Sequence, residues 1–229
     1  MSIKAVLFDL DGTLLDTAKD MARALNRLLK EEGKHPMDYE LIRSEVSHGA
    51  RAMIHLICNE DESSARFQNL RQRYLDIYQA NLAVATTLFP DMDETLQLLE
   101  SRNIPWGVVT NKPSRMTLPL LEQLHLSKRA ATVVCADTAG VSKPDPKPLL
   151  DACTEIDIEP GHCIYIGDDE RDVQAAHAAG MPCVALRYGY IRAGQNPDDW
   201  NADIVLDTTQ GLRIWLEKNT EDYEPDFSL

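Results

Sequence analysis

Basic residues are scarce in this chain. Lys and Arg number 23 against 37 Asp and Glu in 229 residues, a formal charge of −14. Nucleic acid and anionic membranes both select for a basic patch, so neither partner is expected. Long apolar runs are missing as well, since no stretch approaches the roughly 18 apolar residues of a spanning helix. The N-terminus runs from Met1 straight into a short apolar stretch ending at Asp9, with neither the length nor the small-residue cleavage site of a secretory signal. No Cys-x-x-Cys pair occurs. The five cysteines (Cys58, Cys135, Cys153, Cys163, Cys183) are scattered, which reads as reduced, buried thiols in a cytoplasmic protein. Six histidines lack metal spacing. His55 and His177 read as helix-surface residues, and only the position of His48 makes it a candidate ligand.

What is present is an apolar fraction of 44%, enough for a real core. Residues 3–8 (IKAVLF) read as a strand that stops at the turn-forming Asp9-Leu10-Asp11-Gly12-Thr13. Residues 16–33 carry helical spacing at Met21, Leu25, Leu28 and Leu29. From there to about Val84 no strand is expected and the segment reads as helical. After Pro90 strands alternate with helices. Strands fall at 105–110, 131–136, 163–166, 182–186 and 204–206. Helices fall at 91–102 (with Asp91 as N-cap), 114–124 through Pro119, 146–156, 169–179 and 209–218. The expected fold is α/β, a Rossmann-like doubly wound parallel sheet with an inserted helical cap domain. Residues 1–16 and 85–219 form the core, 17–84 the cap, and 220–229 an acidic, flexible tail. Trp106, Trp200 and Trp215 read as packing residues.

Ligands of open α/β sheets sit at the carboxyl ends of the strands, and here those ends are polar. The first strand ends at Asp9 and Asp11, the second at Thr110-Asn111, and a later one at Asp168-Asp169, while Lys143 follows the third. In this order, Asp9-Leu10-Asp11-Gly12-Thr13-Leu14, Thr110, Lys143 and Gly167-Asp168-Asp169-Glu170-Arg171-Asp172 resemble the four motifs of the haloacid dehalogenase superfamily, in its branch with a helical cap. The likeness covers roughly residues 3–215. It implies a phosphatase with Asp9 as nucleophile and Asp11 as general acid and base, alongside Thr110 and Lys143 as catalytic residues. Thr110, Asn111, Lys143 and Arg51 are the substrate-binding candidates. Mg2+ would take the Asp9 carboxylate, the Asp11 main-chain carbonyl and the Asp168 carboxylate. Asp169 and Asp172 are expected to orient water or cap a helix.

The resemblance also suggests a substrate, a small phosphorylated metabolite carrying a carboxylate. Residues 49–53, 106–113 and 187–191, with Asn196, Pro197 and Trp200, favour N-acetylmuramic acid 6-phosphate, a cell-wall recycling intermediate. Phosphoglycolate is the alternative. Arg51 suits either carboxylate by forked hydrogen bonding. Asp11 argues against a dehalogenase, and the lack of any Lys between Arg43 and Pro90 argues against Schiff-base phosphonate hydrolysis. A sugar-phosphate mutase or a non-catalytic binding protein stays open, as does the oligomeric state.

Overall fold

The structure is a computed structural model that describes residues 3–221. Its centre is β1 (Ala5–Phe8), a fully buried strand. The chain leaves it through β2 (Leu15–Asp16), then builds α1 (Ala18–Glu31), α2 (Tyr39–Arg43), α3 (Gly49–His55) and α4 (Ala65–Gln79) before returning through β3 (Thr87–Leu88). The rest alternates: α5 (Met92–Ser101), β4 (Trp106–Thr110), α6 (Ser114–Gln123), β5 (Thr132–Cys135), α7 (Ala136–Ala139), α8 (Lys147–Ile156), β6 (Cys163–Gly167), α9 (Glu170–Ala178), β7 (Cys183–Leu186), β8 (Ile204–Leu206) and α10 (Thr209–Asn219).

Six strands form one parallel sheet in the order β5-β4-β1-β6-β7-β8. The chain works outward from β1 to β4 and β5, then crosses to β6 on the other side. That reversal places the switch in strand order beside β1, where a parallel sheet opens a crevice. The continuous apolar runs follow from burial on both faces. Alternate residues point to opposite sides. Val6, Phe8, Val108, Ile164, Ile166 and Val184 join one core, whereas Ala5, Leu7, Val109, Tyr165 and Cys183 join the other. Leu96, Leu120 and Leu212 from α5, α6 and α10 complete the first, and Leu149, Ala152 and Val173 from α8 and α9 complete the second.

The linkers on either side of the inserted helices hold a short ribbon that the sequence reading did not anticipate, while no strand falls between residues 34 and 84. β2 and β3 pair antiparallel, Leu15 with Leu88 and Asp16 with Thr87. Two residues per strand are too few for any hydrophobic period to show. Asp20 strengthens the same junction, accepting from the Ala85 and Thr86 N–H groups (2.8 Å each) and the Thr86 hydroxyl (2.9 Å). Between these linkers α1 packs on α2 and α4, and α3 packs on α4.

Two local expectations, at Asp91 and Thr220, need adjustment. Asp91 stands at the N-cap of α5 but has φ of 59° and makes no capping bond, because side-chain capping requires extended backbone there. Helix α6 continues through Pro119, as expected. Thr220, placed in the flexible tail, is buried, and its main-chain carbonyl and hydroxyl accept from Arg102; the rest of that tail from 222 onward lies outside the described residues. The five cysteines are buried free thiols, and Trp106 and Trp200 are buried. No helix among the described residues is long and apolar enough to cross a membrane.

Candidate active site

Three strand ends converge. Beyond β1, the Asp9 N–H donates to the Ile166 carbonyl (2.8 Å), extending the pairing with β6 and fixing the backbone beneath the Asp9 carboxylate. The chain then turns at Gly12, where φ is +91° and a Cβ would lie 2.1 Å from Asp168 Oδ2. Only glycine meets both demands. The turn holds Asp11 beside α1, and the Thr17 hydroxyl donates to Asp11 Oδ1 at 2.6 Å.

Lys143 is buried on the loop after β5 and α7. Its ammonium reaches Asp9 Oδ1 at 2.8 Å and Asp172 Oδ1 at 2.7 Å, and also contacts the Val109 carbonyl (3.0 Å) and the Tyr165 hydroxyl (2.6 Å). Burial works against its charge, yet Asp172 and Asp9 hold the ammonium above the ordinary lysine range. The sequence reading assigns phosphate to the Asn111 main-chain N–H, and the side chain has a separate task. In the structure its side chain both donates to the Lys143 carbonyl (3.0 Å) and accepts from the Lys143 N–H (2.8 Å), so it pins the lysine's backbone. Thr110, at the end of β4, is buried, and its Oγ1 accepts from the Lys112 N–H (3.2 Å), leaving its own proton for another acceptor.

β6 ends in the acidic segment. Asp168 accepts from the Thr13 hydroxyl (3.0 Å), the Ser47 hydroxyl (3.0 Å) and the Tyr190 N–H (2.8 Å). Burial, then Asp9 and Asp172, push its carboxyl well above the usual range. Asp169 and Asp172 form the capping box of α9. Asp172 Oδ2 accepts from the N–H groups of Asp168 and Asp169 (3.1 Å each). Burial drives the Asp172 carboxyl up to about 7 against the pull of Lys143. Burial also disfavours ionised Asp169, but the Arg171 guanidinium outweighs it and holds that carboxyl low.

Asp9, Asp168 and Asp172 present oxygens within 4.8 Å of one another. Lys143 pairs with only two of these three buried carboxylates, Asp9 and Asp172, and the clustered oxygens are a donor set suited to a hard divalent cation. Asp172 is tied to the Lys143 ammonium through one oxygen and to the α9 cap through the other, whereas Lys143 engages only one Asp9 oxygen and Asp168 accepts from neutral donors alone, so Asp9 and Asp168 are the carboxylates better placed to hold it.

One residue escaped the sequence reading. Lys112 is buried, and its ammonium contacts both Asp11 oxygens (2.8 and 3.0 Å) and the Tyr78 hydroxyl of α4 (2.9 Å). A lysine before proline at a strand end ordinarily reads as a solvated loop residue, and nothing in the local pattern signals an acid 101 positions away.

A cavity of about 210 Å³ opens over these groups. Asp9, Asp11, Thr110 and Lys143 line its floor, and His48, Arg51, Arg71, Tyr74 and Tyr78 line the side formed by the inserted helices. Arg51 lies at the margin, 71% exposed and 3.5 Å from Glu62. The inserted helices also touch the core through Arg43, which donates to the Tyr188 carbonyl (3.0 Å), and Arg192, which pairs with Glu45. Tyr190, between them, donates to Asp16 (2.8 Å) and accepts from the Ala18 N–H (3.0 Å).

Comparison with known proteins agrees with this arrangement. The N-acetylmuramic acid 6-phosphate phosphatase of Pseudomonas putida is 44% identical over 213 residues, 93% of this chain and 96% of that one. A phosphoglycolate phosphatase of Xanthomonas campestris is 41% identical over 93% of this chain and 95% of its own. The crystal structure of a predicted phosphoglycolate phosphatase from Haemophilus somnus superposes with a TM-score of 0.82 at 25% identity, covering 93% of this chain and 97% of that one. The family model described as haloacid dehalogenase-like hydrolase matches residues 6–186, a span that contains every strand-end group described above, and the chain belongs to that family.

Proposed function

We propose that this protein is a magnesium-dependent phosphomonoester hydrolase that works through a phospho-aspartate on Asp9. Its substrate is a small carboxylated phosphate, N-acetylmuramic acid 6-phosphate ahead of phosphoglycolate. The observation that carries this reading is the cavity itself. It joins Asp9, Asp11 and Lys143 at the sheet edge to a wall holding both cationic and apolar side chains, including Met21, Val46, Leu75 and Met116. Phosphoglycolate has almost no apolar surface to set against that wall, whereas an N-acetylated sugar does. Residues 17–84 act as the cap that selects the substrate. The five buried thiols suit the reducing cytoplasm.

The Asp9 carboxylate attacks phosphorus and the ester oxygen departs, taking a proton from Asp11. Asp11 then removes a proton from water, which attacks the acyl phosphate and frees both inorganic phosphate and the Asp9 carboxylate. Lys143 stays against Asp9 throughout and offsets the charge gathering on the phosphoryl oxygens. The free Thr110 hydroxyl proton donates to one of them. Asp9, Asp168 and the Asp11 carbonyl would hold Mg2+, which would supply further screening of the phosphate charge.

Lys112 acts as a positioning residue, since its ammonium and the Thr17 hydroxyl hold the Asp11 carboxylate in place. Lys112→Met should therefore lower kcat/KM about 100-fold on an alkyl phosphate, whose leaving group needs the proton. A nitrophenyl phosphate, which departs without one, should lose far less. Equal losses on both would remove Lys112 from acid catalysis.

The substrate is tested by comparing kcat/KM for N-acetylmuramic acid 6-phosphate, phosphoglycolate and several hexose phosphates. The first should lead by at least about tenfold. A lead by phosphoglycolate would establish the second reading, and a lead by an uncarboxylated hexose phosphate would defeat both.

A further inference from the structure

Most cations around the cavity already have anionic partners. Lys143 serves Asp9 and Asp172, Lys112 serves Asp11, Arg171 serves Asp169, and Arg51 lies beside Glu62. Arg71 differs. It is half-buried on α4 and lines the cavity, yet among the described residues it has no hydrogen-bond or ion-pair partner. A guanidinium with five donors is seldom left idle in a pocket wall.

One helical turn along the same face stands Tyr74. Its side chain is fully buried, it lines the same cavity, and its hydroxyl has no partner. Burial holds the phenol far above its ordinary range, so it is a neutral O–H donor. The next turn supplies the contrast, because the Tyr78 hydroxyl is already engaged by Lys112. The two tyrosine rings stack with centroids 6.4 Å apart and planes 15° apart, which fixes both on this face. Buried polar atoms without partners are rare in folded proteins. Here an orphaned hydroxyl and an unpaired guanidinium share one face of one helix and one cavity.

We propose that Arg71 and Tyr74 form the subsite that binds the substrate's carboxylate, Arg71 by forked hydrogen bonds and Tyr74 by its hydroxyl. The inference rests on the carboxylated-phosphate reading above and assigns that carboxylate to α4 rather than to Arg51. A single unpaired guanidinium with a neutral donor balances a monoanion. A second phosphate group, with close to two charges, would call for more positive charge than the wall offers in so acidic a protein.

The test uses two matched pairs of substrates. N-acetylmuramic acid 6-phosphate is set against N-acetylglucosamine 6-phosphate, which lacks the lactyl carboxylate, and phosphoglycolate against 2-hydroxyethyl phosphate. The readout is the ratio of kcat/KM within each pair. In the unaltered enzyme the carboxylated member should win. Arg71→Gln should cut the ratio about 30-fold, Arg71→Lys should restore part of it, and Tyr74→Phe should cut it about fivefold. An intact ratio in Arg71→Gln, with the unaltered enzyme still preferring carboxylates, would overturn the subsite and leave the functional reading standing. So would a collapse in Arg51→Gln in place of Arg71→Gln. A ratio near one in the unaltered enzyme for both pairs would overturn the functional reading and the subsite with it.

Discussion

Asp9→Asn should fold as the parent does and lose at least about ten-thousand-fold in kcat/KM on every phosphomonoester. Losses of that order follow removal of a nucleophile from other covalent catalysts. The fold should survive because the change is nearly isosteric. An amide oxygen can still accept from Lys143, and the like-charge crowding of Asp9 with Asp168 and Asp172 is relieved. The loss should also be uniform across substrates, since phosphorus attack is common to all of them. Activity within about tenfold of the parent, with an unchanged circular dichroism spectrum, would remove Asp9 from the chemistry.

Lys143→Met should damage stability and rate together. The ammonium is buried among Asp9, Asp172, the Val109 carbonyl and the Tyr165 hydroxyl. Breaking a buried charge set by removing one member costs about 3–5 kcal/mol, and losing one preorganised positive group costs about 10²–10³ in kcat. The Val109 carbonyl keeps the Tyr165 hydroxyl at 2.7 Å, so the methionine leaves no orphaned acceptor there. The sign with pH is specific. Burial already lifts the Asp172 carboxyl to about 7 in the presence of Lys143, and it lifts Asp168 well above the usual range. A carboxyl raised in the folded state contributes stability that is complete below its unfolded value and is lost as pH rises through the folded one. Without the lysine the Asp172 carboxyl should be raised further, so metal-free Lys143→Met should gain stability relative to the parent as pH falls from about 8 to 5. Urea unfolding of variant and parent at those two pH values measures this, and a stability difference between them that is the same at both would contradict it.

How much of this was readable from sequence depends on the distance over which each signal acts. Strand-end acids are local, because an apolar run that stops at Asp9 or Asp168 announces both the strand and the polar group beyond it. The buried sheet was readable for the same reason, since six apolar runs between helical periods leave little else. The two-residue ribbon of β2 and β3 was not readable, being shorter than any period. Asn111 lines the cavity, but its grip on the Lys143 backbone depends on a loop 32 residues later. Lys112 and Asp11 meet only because β1 and β4 are neighbours in the sheet. Arg71 and Tyr74 look like ordinary positions of an amphipathic helix. Their distinction is the lack of partners, which no sequence pattern records. Arg51, two residues after Gly49, drew attention as the conspicuous cation, and its place at the exposed margin beside Glu62 emerges only in three dimensions.

The central claim is that the phosphoryl group passes through the enzyme on Asp9 instead of going directly to water. The stereochemical course at phosphorus tests it most directly. Two in-line displacements, first by Asp9 and then by water, invert twice. Transfer of an isotopically chiral phosphoryl group from its ester to an acceptor alcohol, taking the place of water in the second displacement, should therefore give a product of retained configuration. Inversion would mean a single direct displacement and would contradict the account.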